Sequence, residues 1–172
     1  VDQMASGELP RQRILKAEDG VRSIIPDFPA DKVYIVEGGT TADVSQAAVS
    51  SFLTAHPDEC IGIVALQGDN GVGTLAAIQT AGRDEDCVLV VNNEDYFFSH
   101  VANYPEETCW YGCVTFQLKD YGQWIAPAMR QILDTGEMPE AVYVEHNVVT
   151  RDNIDELFPN WREDLENGLY PN

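Results

Sequence analysis

The segment from Cys60 to Asn93 constrains the fold most strongly, because two short apolar runs in it flank a glycine-rich turn. The runs CIGIVAL and CVLVV are continuous rather than alternating, and Val, Ile and Leu dominate them. Such runs are typical of strands that are buried on both faces of a parallel sheet. The segment therefore predicts a right-handed strand–helix–strand unit, whose helix ends at Gly82.

The rest of the chain continues this alternation. Further strands are predicted at 33–38, 108–117 and 141–150, and further helices at 10–25, 40–56, 94–105 and 120–136. Pro127 is expected to kink the last helix, whose apolar face would carry Tyr121, Ile125, Ala128 and Ile132. The order of the elements predicts an α/β fold with a doubly wound, mainly parallel sheet.

The helix at 40–56 has recognisable end signals. Thr40 and Asp43 have the spacing of a capping box, and His56 is expected to cap the other end, where it meets the negative end of the helix dipole. Apolar residues repeat at helical spacing and predict the face that packs on the sheet. These residues are Val44, Ala48, Phe52 and Ala55.

The chain ends differ from this pattern. Residues 1–8 show no periodicity and are expected to be loose, and residues 158–172 are expected to form a tail. The chain opens with a helix that needs a sheet, so we expect a first strand just before Val1. Residues 1–172 are therefore interpreted as a single α/β lobe, cut from a larger protein.

Charge restricts the classes of partner. The chain has 10 Lys and Arg against 29 Asp and Glu, which gives a net charge of −19. A nucleic acid or an anionic membrane surface is therefore not expected as a partner. The sequence contains no apolar run near the roughly 20 residues that a membrane-spanning helix needs.

The four cysteines do not form a zinc motif, since no CxxC pair occurs and no histidine lies near Cys109 and Cys113. Cys60 and Cys87 each lie at the start of a predicted strand. If these strands are neighbours, their Cα atoms would lie about 5 Å apart, within reach of a disulfide. A disulfide would suit an oxidising compartment, whereas free buried thiols are the other interpretation.

Polar side chains follow three predicted strands. Gln67, Asn93 and Gln117 stand where ligands bind in such sheets, at the carboxyl ends of the strands. Aromatic residues lie nearby in the sequence: Tyr96, Phe97, Trp110 and Phe116. Amides bond hydroxyls in both directions and aromatic rings cover the apolar face of a sugar, so this set predicts a small polar ligand.

A second interpretation is a nucleotide-dependent oxidoreductase. Residues 71–76 fit G-x-G-x-x-A after a strand, and Glu94, about 20 residues further on, could meet a ribose hydroxyl. Residues 67–70 separate the strand from the glycines, however, and Asp69 would bring negative charge to a pyrophosphate. There is no G-x-S-x-G motif, and no histidine is placed near a nucleophile in the sequence, so no enzyme, cofactor or metal is predicted.

The stretch FLTAHPDECIGIVALQGDNGVGTLAAIQTAGR, residues 52–83, resembles type I periplasmic sugar-binding proteins, with matching turns at 56–58 and 81–83. Residues 148–157 resemble the carboxyl-terminal Val-Thr-x-x-Asn-Val-Asp segment of that family. By the same resemblance, Asn93 occupies the position of a ligand-contacting Asp, and Gln117 that of a Gln near the ligand. Gln67-Gly68 replaces the family's Asn-Asp tip. Arg11 or Arg13 would correspond to an arginine that often contacts the sugar.

The resemblance implies a two-lobed protein that closes on a ligand held in the cleft. This chain would be nearly all of the carboxyl-terminal lobe, with 142–149 heading back to the hinge. The implied partners are a small polar solute and the membrane permease of an ABC transporter, at an extracytoplasmic location. The sensor domain of a LacI-type repressor, which shares the fold, is the alternative within the family. The strand-tip pattern and the resemblance together predict these site residues: Gln67, Asn93, Gln117, Arg11, Arg13, Tyr96 and Trp110.

Overall fold

The computed structural model describes residues 1–3, 6–141 and 143–171. They form a sheet of four strands in the order β1-β2-β3-β4, in which β1, β2 and β3 run parallel and β4 is antiparallel to β3. The strands are β1 Ile61–Ala65, β2 Cys87–Asn92, β3 Trp110–Val114 and β4 Val148–Thr150. The predicted α/β class with a mainly parallel sheet is confirmed. Val142, inside the strand predicted at 141–150, lies outside the described residues.

Seven α-helices are present in the described part of the chain. They are α1 Glu8–Ile24, α2 Ala42–Ala55, α3 Gly68–Ala81, α4 Asp95–Asn103, α5 Tyr121–Thr135, α6 Ile154–Leu157 and α7 Trp161–Glu166. Helices α1 to α5 occur where the sequence predicts them. Gly82 ends α3 with a φ of 64°, the left-handed conformation that glycine adopts without a steric penalty. His56 caps the carboxyl end of α2, as predicted.

The core lies between the sheet and α3 and α4. One row of side chains crosses all four strands in register, and every member is fully buried: Ala65, Val91, Cys113 and Val149. Helix α3 covers β1 and β2, and α2 packs in turn on α3. The opposite face of the sheet is more open, with Val88 49% and Tyr111 51% exposed. The apolar runs predict that both faces of the sheet are buried. Only the face that packs against α3 and α4 is fully buried.

Helix α2 turns a different face inward from the predicted one. Its buried residues are Ser45, Val49 and Leu53, whereas Val44 is 46% exposed. The N-cap residue is Thr41 rather than Thr40, and the Thr41 hydroxyl donates a hydrogen bond to the Asp43 carboxylate at 2.5 Å. The predicted capping box is therefore wrong. The buried face is shifted by one residue because α2 packs against α3 rather than directly on the sheet.

The first residues lie beside β1 instead of being loose. Asp2 accepts a hydrogen bond from Gly38 N–H and donates one to Val36 O, both at 2.8 Å, while Val1 O accepts from Leu66 N–H at 3.2 Å. The strand predicted at 33–38 is reduced to one bridge between Glu37 and Asp2. The expectation of a loose segment at 1–8 is thus wrong for residues 1 to 3, whereas Met4 and Ala5 lie outside the described residues.

The predicted tail at 158–172 is in large part packed into the core. The ring of Phe98 on α4 is fully buried and lies 5.2 Å from Phe158, 6.0 Å from Trp161 and 4.9 Å from Tyr170, measured between ring centroids. The aromatic contacts bury Trp161 and Tyr170 almost completely. Residues 158–170 therefore belong to the folded lobe, and Asn172 lies outside the described residues.

The cysteines are free thiols in the structure, and Cys60 is exposed while the other three are buried. Cys87 is in register with Ile61, not Cys60. Cys60 precedes the first residue of β1, and it forms no disulfide with Cys87. Burial raises the pKa of Cys109 to about 12, which keeps this thiol protonated at neutral pH.

A matched pair of glycine substitutions tests the packing of α2 on α3. A Cβ at Gly73 would lie 2.1 Å from the carbonyl oxygen of Ala42, so Gly73→Ala should lower the free energy of unfolding by about 1–3 kcal/mol. Gly20, inside α1, has open space around it, and Gly20→Ala should raise stability by about 0.5–1 kcal/mol. Urea unfolding of both variants is the measurement, and equal effects would contradict this account of the α2–α3 contact.

Candidate ligand-binding site

Three amide side chains line the carboxyl edge of the sheet. Gln67 follows β1 and is the N-cap residue of α3, Asn93 follows β2, and Gln117 lies three residues after β3. All three are half-buried. The three strands are parallel neighbours, so their carboxyl ends meet at one edge of the sheet, and the structure brings these predicted residues to that edge.

The backbone at two of these positions is unusual. Asn93 has a φ of 123° and Gln117 a φ of 52°, and among the described residues these are the only non-glycine residues with positive φ. Such conformations cost of order 1–3 kcal/mol and persist where the surrounding structure holds them. Here Asn93 N–H donates to Val114 O at 2.9 Å, and Gln117 Nε2 donates to Glu145 O at 3.0 Å.

Asn70, which the strand-tip pattern does not single out, organises the base of this edge. Its side chain is fully buried, accepting a hydrogen bond from Gln3 Nε2 at 2.7 Å. Its Nδ2 donates to Gly39 O at 3.0 Å and to Ser45 Oγ at 2.6 Å, and Ser45 Oγ donates to Gly38 O at 2.9 Å. One amide thus joins four segments of the chain. The sequence does show that Asn70 is a polar residue close to a strand tip. That pattern alone does not distinguish a buried structural amide from one that contacts a ligand.

The two candidate arginines have partners close to the edge. Arg11 Nε lies 3.1 Å from Asp2 Oδ2, and the Asp2 side chain is fully buried. A buried carboxylate needs such a counter-charge, so Arg11 supports the position of Asp2 beside β1. The guanidinium of Arg13 lies over the ring of Phe116, 4.6 Å from its centroid, which is within the range of a cation–π contact.

Tyr96 lies at the same edge, at the start of α4. Its ring packs closely on the backbone of Gly68, where an added Cβ would lie 2.4 Å from the Tyr96 Cδ2 atom. The Tyr96 hydroxyl is 3.5 Å from Asp69 Oδ1. Tyr96 is half-buried, and its ring is therefore partly available to a ligand at the edge.

The structure corrects the prediction for Trp110. This residue begins β3 and is 1% exposed, so it lies at the opposite end of the strand from Gln117. Its ring packs on Phe97 at 6.0 Å and on His100 at 5.1 Å, between centroids. Phe97 is fully buried as well. Trp110 stands near the amino end of the run at 108–117, whereas Gln117 stands at its carboxyl end. The strand therefore places Trp110 at the edge of the sheet opposite to the three amides.

The glycines at 71–76 do not form a nucleotide-binding turn. Helix α3 already begins at Gly68, so Gly71 and Gly73 lie inside the helix. A Cβ at Gly71 would lie 2.7 Å from Val91, and the corresponding contact at Gly73 is the backbone of α2. These glycines therefore permit close packing. Glu94 is buried and its carboxylate accepts a hydrogen bond from Phe116 N–H at 2.8 Å, so it is not placed to meet a ribose.

A polar cluster lies at the other end of β3. His100 Nε2 is 2.7 Å from Glu107 Oε2, which also lies 3.4 Å from Arg151 Nη2. Glu107 further accepts hydrogen bonds from the backbone N–H groups of Cys109 and Trp110. Burial lowers the pKa of His100 below its ordinary value, although the Glu107 carboxylate opposes this shift. Among the described residues, no group of three or more His, Cys, Asp and Glu side chains is arranged to hold a metal ion.

No family model and no curated protein matches the sequence. Solved structures do match the fold. A solute-binding protein of an ABC transporter from Bacillus halodurans C-125, with bound myo-inositol, has a TM-score of 0.66 at 17% identity, over 88% of this chain and 51% of that chain. A periplasmic solute-binding protein from Actinobacillus succinogenes 130z, with bound D-allose, has a TM-score of 0.61 at 16% identity, over 70% and 41%. A LacI family transcriptional regulator from Arthrobacter sp. FB24 has a TM-score of 0.61 at 21% identity, over 78% and 48%.

These matches define the fold of the chain. The neighbours are type I periplasmic binding proteins and LacI-family regulators, and the chain corresponds to 41–51% of the length of those three structures. The chain therefore has the fold of one lobe of such a protein, as the resemblance implied. In the described part of the chain, no helix combines the length and the apolar character needed to cross a membrane.

The Asn70 network gives a stability prediction. Asn70→Ala should lower the free energy of unfolding by about 2–3 kcal/mol, because Gln3 and Ser45 lose a buried partner. Gln12→Ala, an amide truncation on the exposed side of α1, should change it by less than about 0.5 kcal/mol. Chemical unfolding measures both. A small effect of Asn70→Ala would show that the network does not hold the edge together.

The buried His100 predicts a pH dependence. Folding lowers the pKa of His100, so the unfolded chain binds the proton more readily, and stability should fall as pH decreases from about 7 to 5. His100→Gln should have a shallower dependence over this range, whereas Gln12→Ala, which removes no titratable group, should keep the parent's slope. Unfolding free energies measured across this pH range decide the matter, and identical slopes for the parent and His100→Gln would refute the prediction.

Proposed function

We propose that this chain is the ligand-binding lobe of an extracytoplasmic solute-binding protein, which takes up a small polyhydroxylated solute for an ABC transporter. The observation that carries the proposal is the set of amides at the tips of three neighbouring parallel strands. The lobe performs no reaction on its ligand. Its partners are the solute and the membrane permease that receives it.

The chemistry of the edge suits such a solute. Each of Gln67, Asn93 and Gln117 offers both a donor and an acceptor, which is what a ring with several hydroxyl groups requires. Tyr96 supplies an aromatic surface for the apolar face of the ring. The matched structures named above hold D-allose and myo-inositol, both polyhydroxylated rings. Arg11 and Arg13 add donors at the rim of the same edge.

Helix α5 supports the two-lobed part of the proposal. No residue of α5 is buried, although it carries apolar side chains such as Ile125, Met129 and Leu133, the last of which is 80% exposed. Of the predicted face, Tyr121, Ala128 and Ile132 are half-buried and Ile125 is exposed. Amphipathic helices of this length owe most of their stability to packing, so the apolar face of α5 is interpreted as a docking surface.

The segment that contains α5 leaves the sheet after β3 and returns to it before β4. The residues at its two ends lie next to each other. Thr115 N–H donates to Asn147 O at 2.9 Å, and His146 Nδ1 lies 2.8 Å from Thr115 O. We therefore infer that segment 118–146 packs against a second α/β lobe, which closes over the edge that carries the amides. The roughly half-length match to the neighbours agrees with this inference.

Closure of the two lobes on the ligand is the change that the membrane permease would recognise. A ligand that contacts both lobes binds the closed arrangement more tightly than the open one, and it shifts the population towards the closed form. One lobe alone supplies only part of the contacts and leaves the ligand partly in water, so its affinity should be weak.

A repressor sensor is the second candidate. The LacI-family neighbour shares the fold, and the four free cysteines suit a reducing compartment. The two candidates share the site and differ in partner and location. The cysteine state of the protein purified from its native source under non-reducing conditions distinguishes them, since a disulfide would count against a cytoplasmic sensor.

The ligand proposal is tested by titrating monosaccharides and inositols into the ¹⁵N-labelled chain and following amide resonances by NMR. We expect weak binding, with shifts centred on residues after β1, β2 and β3. Asn93→Gly and Gln117→Gly remove one amide each while tolerating positive φ, and each should weaken binding by about tenfold, which is about 1.4 kcal/mol.

Gln131→Ala, on the exposed surface of α5, is the matched control and should bind like the parent. The proposal fails if no polyhydroxylated solute shifts these resonances at millimolar concentration. It also fails if the two glycine variants bind as well as the control.

A further inference from the structure

The carboxyl-terminal segment 158–170 contacts both helix α4 and the base of segment 118–146. The proposed function requires these two parts to move relative to each other. One contact is with α4, which follows the Asn93 tip. Phe98 of α4 meets the rings of Phe158, Trp161 and Tyr170. This aromatic cluster fixes the segment on the lobe that contains the sheet.

Helix α7, within this segment, is itself held firmly. Trp161 is almost fully buried, and its Nε1 donates a hydrogen bond to Asp155 Oδ1 at 2.8 Å. Arg162 Nη1 bonds the same carboxylate oxygen at 2.6 Å, and its guanidinium lies 4.3 Å from the centroid of the Trp161 ring. These contacts give α7 a defined orientation on α4.

The second contact is with the base of segment 118–146. Lys119 lies in the short helical turn Leu118–Asp120, directly after Gln117, and its Nζ forms an ion pair with Asp164 Oδ2 on α7. The two side chains are 28% and 15% exposed. The pair therefore ties the point where the chain leaves the lobe to the anchored helix α7.

A small cavity lies beside the ion pair, between the base of segment 118–146 and the start of segment 158–170. It measures about 210 Å³ and lies between the two crossing points of the chain and the start of the carboxyl-terminal segment. Its lining consists of Gln117, Lys119, Asp120, Asn147 and residues 157–160. The cavity leaves space beside the base of segment 118–146, and the Lys119–Asp164 ion pair joins this base to α7.

We propose that segment 158–170 is a brace, which restrains the movement of segment 118–146 relative to the sheet through the Lys119–Asp164 ion pair. Its consequence for ligand binding rests on the proposed function, because closure of a second lobe would turn segment 118–146 about its base. Breaking the pair should loosen that base and leave the core of the lobe unchanged.

The test is hydrogen–deuterium exchange of the ligand-free chain, read at the amides of Thr115, Asp120 and Asn147. These amides make the hydrogen bonds at the base of the segment. Lys119→Met and Asp164→Asn should each speed their exchange by about two- to fivefold, the factor that a partly exposed ion pair contributes. The amides of β1 and β2 should exchange as in the parent.

Two controls make the result specific. The charge-reversed double variant Lys119→Asp with Asp164→Lys should restore the parent's exchange at the base. Lys16→Met, which breaks the exposed Lys16–Asp19 pair on α1, should leave the base unaffected. The brace is refuted if both single variants exchange like the parent, or if charge reversal restores nothing.

This experiment uses no ligand, so its outcome is separate from that of the ligand titration. Faster exchange in the single variants without any sugar binding would keep the brace and reject the proposed solute. Sugar binding with unchanged exchange in the single variants would keep the proposed solute and reject the brace.

Discussion

The hydrogen bonds of the buried Asn70 side chain are the interaction on which the geometry at the carboxyl edge of the sheet depends. The side chain joins the first residues of the chain, the turn at 38–39, helix α2 and helix α3 through hydrogen bonds that satisfy both ends of its amide. A buried amide that loses a partner is costly, so the four segments are held together as a unit. Gln67, three residues earlier, is presented at the edge from this fixed base.

The two ends of the parallel strands have different physical characters. At the carboxyl edge, amides and positive φ values at Asn93 and Gln117 keep polar groups at the surface in a strained backbone. At the opposite end, His100, Glu107 and Trp110 are packed together and largely withdrawn from water. The buried row across β1 to β4 packs the four strands together in register.

Segments 118–146 and 158–170 both lie beyond the central strand–helix–strand unit, yet they behave in opposite ways. Helix α5 buries none of its residues, whereas the later segment buries Trp161 and Tyr170 against Phe98. The apolar face of α5 stays exposed within this chain, whereas the rings of the later segment are covered by Phe98. The Lys119–Asp164 pair is where these two segments meet.

The sequence by itself determined the central unit at 60–93, the positions of α1 to α5 and the three amides at the strand tips, because continuous apolar runs and the residues that end them are local signals. It did not determine which face of α2 is buried, where Trp110 lies, or that residues 158–170 pack on Phe98. Those features depend on contacts between residues far apart in the chain. Periodicity marks a side chain as apolar, but only the packed tertiary structure decides which surface covers it.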